Sequence, residues 1–166
     1  MKRLFILTAG LLLMALAVMP VQAFTMNSLS IDLANNGDAQ IAMRYDLSFV
    51  EQTAVFLRIA DPAAELQSAF SSGSSQPVTV TEATSSSAKI TVPSFASVTS
   101  ADGKTVMATP SVSFERARDV LNTYWFAPLI SPDFSPGVTT ITFPDGHKEY
   151  FYDQISIPSV THTMTT

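Results

Sequence analysis

The 166-residue chain carries 9 Lys and Arg against 14 Asp and Glu, a net charge of −5, and contains no cysteine. Recognition of a phosphate backbone needs clustered Lys and Arg, and no basic run exists here, so nucleic acid is disfavoured as a partner. Without thiols, disulfide stapling and a thiol-linked lipid anchor are excluded, and packing alone must hold the fold.

Lys2 and Arg3 precede an apolar run from Leu4 to Val18, followed by Pro20 and Val21-Gln22-Ala23. A basic end, an apolar middle and small residues before a cut are the pattern of a secretory signal peptide, so cleavage is expected after Ala23. An uncleaved anchor is the alternative, because the run approaches the roughly 20 residues needed to span a bilayer. Cleavage leaves residues 24–166 as a single exported domain with 7 basic and 14 acidic residues. The C-terminal end from Val160 is short and polar, so no membrane span is expected after cleavage and the product belongs outside the cell or at its surface.

Leu29, Ile31 and Leu33 alternate with polar residues, and after Asn35-Asn36-Gly37 the alternation resumes with Ile41, Met43, Tyr45 and Leu47. This predicts a hairpin with one buried face. A three-residue loop between Ala34 and Asp38 opposes Ile31 to Ile41 and Leu29 to Met43, whereas a two-residue turn would send the apolar sets to opposite faces. Gly37 then takes the left-handed conformation.

Ser48 and Glu51 form a capping box, and Asp61-Pro62 restarts a helix, so helical structure is predicted over 49–71 with Leu66, Ala69 and Phe70 on its apolar side. A strand over Ala54 to Ile59 is the alternative. Ser71-Ser72-Gly73-Ser74-Ser75 reads as a connector. Val78 and Val80 with Ala88, Ile90 and Val92 predict a second hairpin, closing over Thr84 to Ser87. Ala101-Asp102-Gly103 predicts a third, opposing Val98 to Val106.

At Ser113 the period changes to helical, with Phe114, Ala117, Val120, Leu121, Tyr124 and Trp125 on one face and Ser113 as the cap. The stretch from Tyr124 to Tyr152 holds eight of the 15 aromatics of the exported part, which predicts that a core closes here with Trp125 as a structural residue. Pro128, Pro132 and Pro136 exclude a regular helix over 127–137 and predict an ordered loop. Val138 to Phe143 and Lys148 to Ile157 flank Pro144-Asp145-Gly146, a fourth hairpin in which Gly146, like Gly37 and Gly103, is expected at positive φ. Val92-Pro93-Ser94-Phe95, Thr109-Pro110-Ser111-Val112 and Ile157-Pro158-Ser159-Val160 recur at spacings that fit no repeat, and prolines there read as strand ends.

The only histidines, His147 and His162, are candidate bases, but one follows a turn and the other lies near the terminus, so both are expected in solvent. Asp102 and Asp145 precede turn glycines, where aspartate serves the local backbone, and Glu149 and Asp153 lie on the final strand. Neither a calcium-loop spacing nor a helical His-x-x-x-His pair is present, so catalytic, metal and cofactor residues are all read as none. The final strand has an apolar side, Phe151, Ile155 and Ile157, and an amphipathic side, Lys148, Tyr150, Tyr152 and Gln154. The second set is the candidate interaction surface, since tyrosines make low-entropy contact platforms; burial beneath the 114–124 helix or the proline loop, with only the hydroxyls wet, is the alternative.

The signal pattern, the Asn35-Asn36-Gly37-Asp38-Ala39 hairpin and the run from Trp125-Phe126-Ala127-Pro128 to Pro144-Asp145-Gly146 resemble small exported proteins of methanogenic archaea. The resemblance implies a cell-surface setting and no activity.

The fold expected is α+β: a mostly antiparallel sheet of about eight short strands with helices of 49–71 and 114–124 on one face, and a β-sandwich as the alternative. The function expected is a non-enzymatic exported protein with a binding or structural role in the envelope, its partner a protein or other envelope component. A carrier with an apolar pocket between sheet and helices, and a hydrolase with a site of scattered residues, are the other two readings.

Overall fold

The computed structural model describes residues 24–47, 78–123 and 132–165. Among them are eleven strands: β1 (Thr25–Leu33), β2 (Ala39–Asp46), β3 (Thr79–Ala83), β4 (Ser87–Val92), β5 (Ser97–Ala101), β6 (Lys104–Ala108), β7 (Val112–Ser113), β8 (Val138–Thr142), β9 (Lys148–Phe151), β10 (Ser156–Ile157) and β11 (Thr161–Thr165). One helix, α1 (Glu115–Leu121), lies between β7 and β8. The strands form a six-stranded sheet in the order β3-β4-β2-β1-β8-β9, a three-stranded sheet β11-β6-β5 and a two-stranded pair β10-β7.

The α+β expectation is thereby corrected: more than half of the described residues are strand, spread over several sheets, and the β-sandwich alternative fits. The predicted 114–124 helix is a seven-residue segment. The 49–71 helices, the Ser71–Ser75 connector, the signal segment, Tyr124, Trp125 and Phe126 lie outside the described residues. No described helix is long and apolar enough to cross a membrane, which says nothing of strands.

Strand register explains the core. Alternation on β2, and on β1 from Leu29 onward past a bulge between Met26 and Ser28, buries every second residue. Pairing across the sheet lines up Ile90, Ile41, Ile31 and Ile141 on four neighbouring strands, each 1 % exposed. β-Branched side chains suit such a pleated, buried surface, and each fully buried isoleucine contributes about 1.5–3 kcal/mol. The next level holds Ala88, Met43, Leu29 and Thr139, all buried. Met107 of the three-stranded sheet and Ile157 of the two-stranded pair join the same apolar cluster, so all three sheets share one core.

The first and fourth hairpins close as the sequence predicts, with one loop chemistry. Ala34 N–H donates to Asp38 O (2.8 Å) and Gly37 N–H to Ala34 O (2.9 Å), while Phe143 N–H donates to His147 O (2.8 Å) and Gly146 N–H to Phe143 O (2.9 Å). In each loop the middle side chain, Asn36 or Asp145, accepts the N–H two residues on, and the glycine sits at φ 85° or 88°. Ile31 opposes Ile41 and Leu29 opposes Met43, as expected. The second hairpin closes at Thr84–Ser87, and the buried Tyr45 hydroxyl donates to Thr84 O (2.7 Å), tying that turn to β2. Burial raises the Tyr45 phenol above its ordinary range.

Two expectations are corrected. Val98 opposes Met107, not Val106, because Asp102 and Gly103 make a two-residue turn with both φ positive (51° and 71°). Such a turn matches strand twist and favours Asp-Gly, and its register sends Met107 into the core and leaves Val106 exposed. The strand expected over Lys148–Ile157 is two strands in two sheets: Asp153 turns left-handed (φ 52°), its N–H donates to Pro136 O, and the chain crosses from β9 to β10.

One further segment packs along the start of β1. Residues 132–137 form no helix, as their prolines require, and are held by β1: Met26 N–H donates to Asp133 O, Asp133 N–H to Phe24 O, and Gly137 N–H to Met26 O. The Phe24 ring meets those of Phe134 (4.8 Å) and Tyr45 (5.6 Å) at a tilt. The recurrent prolines fall where strands stop: Pro93 follows β4, Pro110 follows β6 and Pro158 follows β10.

Candidate functional site

Strand β9 is the last in the six-stranded sheet, and its two faces carry different chemistry. Phe151 lies opposite the buried Thr139 and Glu149 opposite the buried Ile141, so these two point to the inner side. Tyr150 pairs with Thr140 and Lys148 with Thr142 on the outer side. The tyrosines are exposed, not covered by the 114–124 segment or the proline loop: Tyr150 is 50 % and Tyr152 63 % exposed, and Lys148 and Gln154 are exposed too. Period-two alternation brings Lys148 and Tyr150 to one face. Past β9, Tyr152 keeps its ring in solvent, and the turn at Asp153 redirects the chain before Gln154.

The inner side holds a cluster that sequence reasoning missed. His147 follows the Pro144-Asp145-Gly146 loop, and β11 brings in His162, so that the two imidazoles stack at 4.2 Å with planes 9° apart. His162 Nε2 lies 2.7 Å from Asp145 Oδ2, and His147 Nε2 lies 3.0 Å from Glu149 Oε1. Phe143 backs the His162 ring at 4.8 Å. The expectation of solvent holds for His147, which is exposed, and is corrected for His162, whose side chain is 20 % exposed with its ring between Phe143 and His147. The legible signal was the His147-x-Glu149 spacing, which places both on one strand face; the partner 15 residues on was not local.

Hydrogen bonding from His162, then from the His147 backbone N–H, holds the Asp145 carboxyl below its ordinary range, against partial desolvation. Chemically, the cluster is a fastener between the β8–β9 loop and the C-terminal strand. Each imidazole faces a carboxylate and another ring, an arrangement unlike the nucleophile, base and orienting acid of a hydrolytic triad. Among the described residues, no three His, Cys, Asp or Glu side chains converge as metal donors. Asp102 occupies its exposed turn and Asp153 the left-handed break, each apart from this cluster in role.

The glycines named for structure divide by environment. Gly103 and Gly146 need positive φ but have open space around them, whereas Gly37 is buried and a Cβ there would overlap the Ala96 carbonyl oxygen. Gly37 is thus the contact between the first hairpin and the approach to β5, where Ala96 N–H donates to Gly37 O (2.8 Å).

Neither a scan of protein-family models nor searches of curated proteins and solved structures returned a match to this chain.

Proposed function

We propose that the chain is an exported, non-enzymatic surface protein that binds a component of the cell envelope through the outer side of β9. The observation that carries this reading is the exposure of two large aromatic rings, Tyr150 at 50 % and Tyr152 at 63 %, beside the exposed Lys148 and Gln154. Rigid aromatic rings with a polar tip lose little conformational entropy when they are covered, and they are enriched where surfaces meet. The signal pattern of residues 1–23 and the resemblance to exported archaeal proteins support the location.

Iodination of tyrosines read by peptide mass spectrometry tests the reading. Tyr150 and Tyr152 are expected to be labelled in the free protein and protected in the intact envelope, while Tyr45, buried and hydrogen-bonded, resists in both. Equal labelling of Tyr150 and Tyr152 in the two preparations would contradict it.

A further inference from the structure

We infer that the component bound is an uncharged glycan chain lying across the outer face of the six-stranded sheet, with its rings against Tyr150 and Tyr152. This inference rests on the binding reading above and names the chemistry of its ligand. The rows of that face follow from register. One runs Tyr150, Thr140, Ser30, Ala42, Lys89, Glu82 from edge to edge. The neighbouring row runs Lys148, Thr142, Asp32, Gln40, Thr91, Thr79. All of these residues are exposed or half-buried, while on β1, β2, β4 and β8 their neighbours along the strand are buried.

Two properties of the face select the ligand. First, its middle holds the short hydroxyl side chains Ser30, Thr140, Thr142 and Thr91 and the Gln40 amide around the Asp32 carboxylate, which accepts from the Ser30 hydroxyl at 3.0 Å. Hydroxyls and amides both donate and accept, as sugar hydroxyls do. A protein partner would instead require an apolar centre to the patch, depleted in such groups, and away from the tyrosine edge these two rows offer only Ala42.

Second, the charges on this face balance within a chain that is acidic overall. Lys148, Arg44 and Lys89 are matched by Asp32, Asp46 and Glu82, with Lys89 and Glu82 already paired at 2.8 Å and Asp46 accepting from Asn27 at 2.9 Å. A face without net charge complements an uncharged polymer and gives no advantage to a phosphate- or carboxylate-rich one. Tyr150 and Tyr152 supply the remaining element. One ring stands on β9 and the other just past its end, both in solvent, and the apolar C–H faces of sugar units stack on aromatic rings of this kind.

The test uses the purified protein and envelope fractions of the producing cells, either digested with protease or oxidised with periodate, which cleaves vicinal diols of sugars. Sedimentation with the protease-treated fraction is expected to match that with the untreated one, and periodate is expected to weaken it at least tenfold. Tyr150→Ser with Tyr152→Ser should lose binding to the same degree, and His162→Gln, on the inner side, should retain it. Binding that survives periodate and is lost with protease would overturn the glycan inference and leave the tyrosine surface standing. Equal binding by the double variant, or no binding by the wild type, would overturn both.

Discussion

Ile31 of β1 and Ile141 of β8 lie opposite each other on parallel strands, each 1 % exposed. This pairing sets two antiparallel hairpins side by side, with their matching three-residue loops at the same end of the sheet. Both loops meet the three-stranded sheet along one row: Gly37 beside Val98, which opposes Met107, and the Asp145 loop beside His162, which opposes Met107 from the other strand. The core is therefore closed at the loop end by the second sheet.

Removing either isoleucine should open a cavity at the centre of the row. Ile31→Ala and Ile141→Ala are each expected to cost about 2–5 kcal/mol, a large share of the roughly 5–15 kcal/mol that keeps a domain folded. Denaturant titration followed by circular dichroism measures this. A loss below about 1 kcal/mol at both positions would show that the row is not the core.

The turn glycines should separate by packing. Gly146→Ala is expected to cost about 1 kcal/mol for its positive φ alone, and Gly103→Ala should behave likewise. At Gly37→Ala the added methyl also meets the Ala96 carbonyl, so overpacking adds about 1–3 kcal/mol. Thermal melts of the three variants should place Gly37→Ala lowest by a clear margin.

Thr139 is fully buried, and its hydroxyl has no hydrogen-bond partner. A buried unpaired hydroxyl carries a desolvation cost that a methyl of the same shape does not. Thr139→Val should therefore raise stability by about 1 kcal/mol. A decrease in denaturation midpoint would show that the hydroxyl has a partner in solution.

Acid should loosen the fastening of β11. The Asp145 carboxyl is held below its ordinary range chiefly by His162, and a depressed folded value contributes stability that is present above the unfolded value and lost as the pH falls through the folded one. The window thus lies below about pH 4. Asp145→Asn should flatten the fall in melting temperature over that window. Glu82, lowered by hydrogen bonding to Lys89, is the companion measurement, with Glu82→Gln removing its separate share.

The hairpins were legible where their cause is local. Asn36, Asp145 and the following glycines dictate loop geometry within five residues, and alternation then sets which side chains meet. The β5–β6 turn was misread by one residue because Asp102, unlike most residues, itself accepts positive φ. Three features depend on distant partners and left no local trace: the parallel β1–β8 pairing, the crossing from β9 to β10 at Asp153, and the meeting of His147 with His162. Of the proposed surface, the alternation of Tyr150 and Tyr152 was legible, but their exposure was not, since it depends on which element packs over β9.

Retention of the protein by the envelope tests the central claim most directly. Tyr150→Ser with Tyr152→Ser changes two exposed side chains, so the melting curve should stay within about 0.5 kcal/mol of wild type in stability. The surface reading predicts that the wild type fractionates with the envelope while the double variant, equally folded, moves to the medium. A folded double variant that remains in the envelope fraction as fully as the wild type would contradict it.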